Sequence, residues 1–148
     1  MSEEEMNVPA VIERLQEAVA LQFRSALQYT LVAASVAGFE YHALGTQLWS
    51  FAEAELADAR RLIEKMVALG GHPGTEVAPL GNPREPAAAV DLLIDTECEA
   101  LRVLHAVIPD TGQEPRSEAV EHLIEHLMLR KQQQVDTLLR ARWPKETG

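Results

Sequence analysis

Two carboxylates, Glu55 and Glu97, stand in the middle of otherwise apolar helical faces. Glu55 recurs at helical spacing with Leu48, Phe51, Leu62 and Met66, and Glu97 with Val90, Ile94, Leu101 and Leu104. Both fall at mid-length of long helical segments, so a folded bundle brings them to one level of its core. An ionised carboxylate in a dry interior costs several kcal/mol unless it meets a cation or a metal. A shared positive charge is therefore expected. If it is a metal, the layer is a metal site; if it is a side chain, the layer stands without metal.

A second constellation is His122-Leu-Ile-Glu125-His126. Histidines at i and i+4 share a helix face and can chelate zinc or copper, with His105 as a third candidate from the preceding helix. The alternative is a pair of histidines flanking the Leu123/Leu127 stripe at a solvated edge. Cys98 has no basic neighbour in sequence to lower its pKa and is expected to pack as a small side chain. Tyr29 and Trp49 are expected as core or interface aromatics.

The elements that must position these residues follow from the punctuation of the chain. A helix opens at Met6 or Asn7, tolerates Pro9 in its first turn, and carries Leu15, Val19, Gln22, Ala26, Tyr29 and Ala33 toward Gly38. A second runs from about Tyr41 to Leu69, stopped by Gly70-Gly71 and Pro73. A third spans about Pro86 to Ile108, and a fourth runs from Pro115–Ser117 to about Arg142, with Pro144 beyond it. The bundle thus covers about residues 8–142, and residues 1–7, with Glu3 to Glu5, are expected as a solvated acidic tail.

Loop lengths give the topology. Short joins make helices one and two, and helices three and four, antiparallel neighbours. Gly70 to Pro86 is long enough to travel a bundle: extended chain covers about 3.3 Å per residue, and a helix of about 25 residues is roughly 38 Å long. The expected fold is an all-α antiparallel four-helix bundle in one domain, with a long crossover between helices two and three.

Composition removes several function classes. The chain has 148 residues, 47% apolar content and a net charge of −10, so it can bury a core but offers no basic face for nucleic acid. A single cysteine excludes an internal disulfide, no apolar run spans a bilayer, and the acidic start is unlike a secretory leader. The cytoplasm is the expected location.

With the helices in place, the motif segments resemble those of bacterioferritins and related ferritin-like proteins. Glu55-Leu-Ala-Asp58-Ala, running on to Gly-Gly-His-Pro73, resembles the second-helix segment, which has Glu-x-x-His-Ala. Gln22 with Gln28-Tyr29 resembles the first, Glu97 with Ala100 and Leu101 the third, and Lys131-Gln-Gln-Gln134-Val-Asp136-Thr-Leu138 the fourth. The resemblance spans about residues 10–142 and implies a ferritin-like bundle. In that family two irons bind between a Glu from each of two helices and a Glu-x-x-His from each of the other two. Carried over position by position, Glu55 and Glu97 match ligands. Gln22 stands for a Glu, Asp58 for a His, Lys131 for a Glu and Gln134 for a His. A one-residue slip in helix four would put Arg130 and Gln133 there instead.

The resemblance leaves three functions open. One is iron binding or storage through Glu55, Asp58 and Glu97, with a weakened or lost ferroxidase centre. Another is a metal-free structural or interaction bundle in which Lys131 supplies the counter-charge and Gln22 and Gln134 satisfy the carboxylates. The third is a ferritin-like enzyme with a rebuilt pocket. Haem is not expected, because Leu56 stands where haem-binding relatives have Met. The chain also stops soon after Trp143-Pro144, without the fifth helix of cage-forming relatives, so a full cage is not expected. A homodimer or larger homo-oligomer is expected, built through helices one and two, with Trp49 and Phe39 or Tyr41 as anchors.

Overall fold

The computed structural model describes residues 5–142, without the side chain of Phe39. Four helices carry it: α1 (Val8–Ser35), α2 (His42–Ala68), α3 (Pro86–His105) and α4 (Pro115–Arg142). Single 3-10 turns at Phe39–Tyr41 and Ile108–Asp110 sit in the two short joins. Among the described residues no helix is long and apolar enough to cross a membrane.

Helix ends follow local chemistry. The Asn7 side chain accepts from the Ala10 N–H at 3.3 Å, closing the start of α1 with Pro9 in its first turn. At the end of α2, Gly70 takes φ +93° while its N–H donates to Val67 O and the Gly71 N–H to Met66 O, both at 2.9 Å. This crossed pair satisfies carbonyls the helix leaves open. Two ends come earlier than the periodicity predicts. α1 stops at Ser35 rather than near Gly38, where Val36 becomes extended, and α3 at His105 rather than Ile108, where the chain enters the Ile108–Asp110 turn. The packed chain begins before residue 7: Met6 is buried and the Asn7 N–H donates to Asp110 O at 3.0 Å. Glu3, Glu4, Trp143 and Pro144, on which the expected tail and the closing proline rest, lie outside the described residues.

The long connection is an extended strap that climbs α1. Gly74 N–H donates to Gln16 Oε1 (2.7 Å), Ala78 N–H to Ala20 O (3.1 Å) and Gly81 N–H to Gln28 Oε1 (3.0 Å). Contacts at residues 16, 20 and 28 in that order mean the strap runs parallel to α1. It therefore returns the chain to the end where α2 began, and α3 descends beside α1. The arrangement is up, down, crossover, down, up.

The core is divided. One apolar cluster holds Leu15, Val19, Leu62, Met66, Leu104 and Ile124; the other holds Tyr29, Val32, Leu48, Leu93 and Leu138. Between them in sequence order on every helix come buried polar residues: Gln22 and Ser25 on α1, Glu55 and Asp58 on α2, Glu97 on α3, and Lys131 and Gln134 on α4. The inward-facing period runs on through this layer with polar residues in place of apolar ones, so the helices stay amphipathic while one layer of the core is ionic.

Candidate metal centre

Lys131 occupies the centre of that layer. It is 0% exposed, and its Nζ lies 2.6 Å from Glu55 Oε2 and 3.2 Å from Glu97 Oε2. Nζ also donates to Ser25 Oγ at 3.4 Å. Burial lowers the lysine's proton affinity, but Glu97 and Glu55 more than reverse this, and its pKa ends above the ordinary value. The ammonium is therefore charged at neutral pH.

The carboxylates are held on every side. Gln134 Nε2 donates to Glu55 Oε1 at 2.6 Å, and Gln22 Nε2 to both the Glu55 backbone O (2.9 Å) and its Oε2. Only the amide nitrogen can face a carboxylate oxygen, since the amide oxygen would set lone pair against lone pair. Both glutamines thus turn N–H groups to the centre. Ser25 Oγ donates to Glu97 Oε1 at 2.5 Å. Burial raises the Glu97 pKa, aided by Glu55 and opposed by Lys131. Tyr29, packed edge-on against Phe51 at 5.6 Å, closes the layer on one side, and burial with the two glutamates pushes its hydroxyl well above its usual pKa.

Asp58 belongs to a second knot one turn further along α2. Arg61 Nη1 meets its Oδ1 at 2.7 Å, and Arg130 Nη2 meets Oδ2. Arg130 Nη2 also donates to Ala54 O at 3.1 Å and lies 3.9 Å from Glu55 Oε1. Burial raises the Asp58 pKa, with Arg130 the main opposing influence. Three carboxylates (Glu55, Asp58, Glu97) face three cations (Lys131, Arg130, Arg61). The charges cancel within the protein.

The register of α4 is settled by burial: Lys131 and Gln134 point inward, whereas Gln133 is exposed and Arg130 sits at the edge. Gln22, Glu55, Glu97, Lys131 and Gln134 are brought together, and Asp58 joins them only through Arg130. His105, His122 and His126 are all exposed. Among the described residues no group of three or more His, Cys, Asp or Glu side chains is placed to hold a metal. Sequence reasoning missed Ser25, Arg61 and the pairing role of Arg130. Ser25 lies three residues after Gln22 and Arg61 three after Asp58, so the i, i+3 spacing was an available signal.

The residues present do not fit a di-iron centre. Such a centre takes carboxylate oxygens and imidazole nitrogens as lone-pair donors. Here a fixed ammonium engages both glutamates and two amides present N–H groups. What the arrangement does chemically is hold buried charge in balance.

The ferritin-like domain profile matches residues 12–141. No curated protein matches in sequence. The bacterioferritin of Rhodobacter capsulatus, solved with a metal-free dinuclear site and haem iron, superposes with a TM-score of 0.82 at 20% identity, covering 90% of this chain and 84% of that one. The bacterioferritin of Desulfovibrio desulfuricans, solved with its diiron site in different catalytic states, gives 0.82 at 19%, covering 91% and 79%. A ferritin-like diiron-carboxylate protein of Bacillus anthracis gives 0.84 at 23%, covering 96% and 99%. At these identities the likeness is one of fold.

Proposed function

This chain belongs to the ferritin-like domain family, and from that premise we propose that it is a metal-independent member, a structural or interaction bundle in which Lys131 takes the place of metal ions. The observation that carries the proposal is the buried Lys131 ammonium, 2.6 Å from Glu55 and 3.2 Å from Glu97. A metal ion there would have to displace that ammonium. Leaving a buried charge without its partner costs about 3–5 kcal/mol.

The competing function, iron binding or storage with an altered ferroxidase centre, draws support from family membership and from Glu55, Asp58 and Glu97. It requires Lys131 to release both glutamates and Asp58 to release Arg61 and Arg130. Elemental analysis of protein purified without chelator, followed by anaerobic Fe(II) titration and exposure to air, separates the two. We expect no stoichiometric metal and no oxidation above buffer. Stoichiometric iron with rapid oxidation refutes the proposal.

The bundle acts as a homodimer or larger homo-oligomer in this proposal. Leu56 is 58% exposed and Leu27 45%, and both line apolar grooves on the α1–α2 face with Phe23. Exposed apolar area of this kind favours association. Trp49, half exposed, extends the face along α2, with Tyr41 partly buried near its start; the Phe39 side chain lies outside what is described. The partner is a second copy of this chain.

A further inference from the structure

The innermost ionisable groups are one amine and two carboxyls, closed off from water and in direct contact: Lys131 and Glu55 are 0% exposed and Glu97 is 1% exposed. From this juxtaposition we propose that Lys131 and Glu55 condense into an internal isopeptide bond that staples α4 to α2, with Glu97 carrying the proton. The inference deepens the metal-independent function and rests on it, since only a layer free of metal leaves Nζ against Glu55.

The geometry supplies each part of the reaction. Nζ is 2.6 Å from Glu55 Oε2, so nucleophile and carboxyl are already paired. Holding the two groups together in this way removes the entropy of bringing them to one another. Gln134 Nε2 on Oε1 at 2.6 Å is a donor placed where negative charge develops when nitrogen adds to the carboxyl carbon. Glu97 touches Nζ through both oxygens, at 3.3 and 3.2 Å, so it can take a proton on one while giving one from the other.

The step balances without a co-reactant. The ammonium passes one proton to Glu55 Oε2, leaving a neutral amine and a carboxylic acid. Nζ then bonds to the Glu55 Cδ. Glu97 receives a proton from that nitrogen and returns one to the departing hydroxyl, the C–O bond breaks, and one water leaves. Nothing is oxidised or reduced, and Glu97 ends as it began. Nζ and Glu55 meet only where α4 packs against α2, so closure is a maturation step that follows folding.

Two physical effects favour the product. A buried ion pair, whose desolvation opposes it, becomes a neutral amide. The new bond takes the ammonium from Glu97, which keeps Ser25 Oγ, Gln134 Nε2 and the new amide N–H as donors; the amide carbonyl keeps the Gln134 donor, and Gln22 keeps the Glu55 backbone carbonyl. The bond would tie α2 covalently to α4, which otherwise meet here through the Lys131–Glu55 and Gln134–Glu55 contacts.

The test is the intact mass of the full chain, denatured after ageing at neutral pH, beside Lys131→Met and Glu97→Gln. We expect the wild type to become lighter by one water and Lys131→Met to keep its full sequence mass. Trypsin should release a branched peptide joining Ser25–Arg60 to the segment that begins at Lys131. In Glu97→Gln, which keeps the side chain's shape, closure should slow by about a hundredfold or more, the scale of lost acid–base assistance. A full-mass wild type, or a water loss that persists in Lys131→Met, overturns the proposal. Closure of Glu97→Gln at the wild-type rate overturns the role of Glu97. Fe(II) titration of the same samples keeps the two ideas apart: full mass without iron uptake sinks only the amide, whereas full mass with iron uptake sinks both.

Discussion

Replacing Lys131 with Met removes the central cation while nearly conserving apolar volume, and measured against freshly folded wild type, before any Lys131–Glu55 amide closes, it isolates what the ammonium contributes. Glu55 and Glu97 would then face each other buried, with only Arg130, 3.9 Å from Glu55, nearby. Stranding a buried charge in this way costs about 3–5 kcal/mol, against a total of about 5–15 kcal/mol for a domain. The variant should remain folded at neutral pH only marginally. The pH dependence carries the sharper signature. Without the cation the buried layer must bind protons, and Glu97, whose pKa burial already raises and Lys131 opposes, rises further above the unfolded value of about 4.3. The folded state then binds more protons than the unfolded one, and stability falls as pH rises from the unfolded pKa toward the folded one. Each unit of that rise is worth about 1.4 kcal/mol. Urea denaturation at pH 7.5 and pH 5 should show the variant recovering on acidification by more than the wild type does. Adding Glu55→Gln and Glu97→Gln should restore much of the loss at neutral pH. A loss under about 1 kcal/mol, with a wild-type pH profile, would refute the idea that Lys131 holds the layer.

Other perturbations should separate the neighbouring interactions. Lys131→Glu should turn the layer into an acidic site, and Mn(II) or Zn(II) at a hundred times its Kd should raise the variant's stability by about 2.7 kcal/mol, read as a Tm shift that the wild type lacks; equal shifts in both would count against Lys131 as the metal's substitute. Arg130→Ala should destabilise by about 1–3 kcal/mol by leaving buried Asp58 short of a donor, whereas Arg61→Ala, removing a half-exposed arginine, should cost under about 1 kcal/mol; chemical denaturation that reverses this order would contradict the assignment. Gly71→Ala should cost about 1–3 kcal/mol, since its Cβ would meet Met66 Cγ at 2.7 Å and Ile12 Cγ2 at 3.0 Å. Leu56→Glu, alone or with Leu27→Glu, should shift the protein from oligomer to monomer in light scattering, and an unchanged mass would place the contact elsewhere.

The helices were legible because their information is local. Pro9, Gly70-Gly71, Pro86 and Pro115 punctuate the chain wherever helix must stop or start, and the apolar residues between them recur at helical spacing. The crossover was legible from length alone. The ends of α1 and α3 were not, since the Phe39–Tyr41 and Ile108–Asp110 turns compete with helix over a few residues whose propensities barely differ.

The sequence by itself determined that Glu55 and Glu97 lie at mid-helix among apolar residues and so need a positive partner. It also determined which residue types stand at the remaining positions of the layer. It left open whether Lys131 or Arg130 points inward, because one residue of rotation on a helix is about 100°. Tertiary structure decided that, putting Lys131 between the glutamates and drawing Asp58 away to Arg61 and Arg130. The reason is that charge pairing here is made across helices, from α4 to α2 and α3. Such distances are fixed by how four helices pack, which no single helix's sequence encodes.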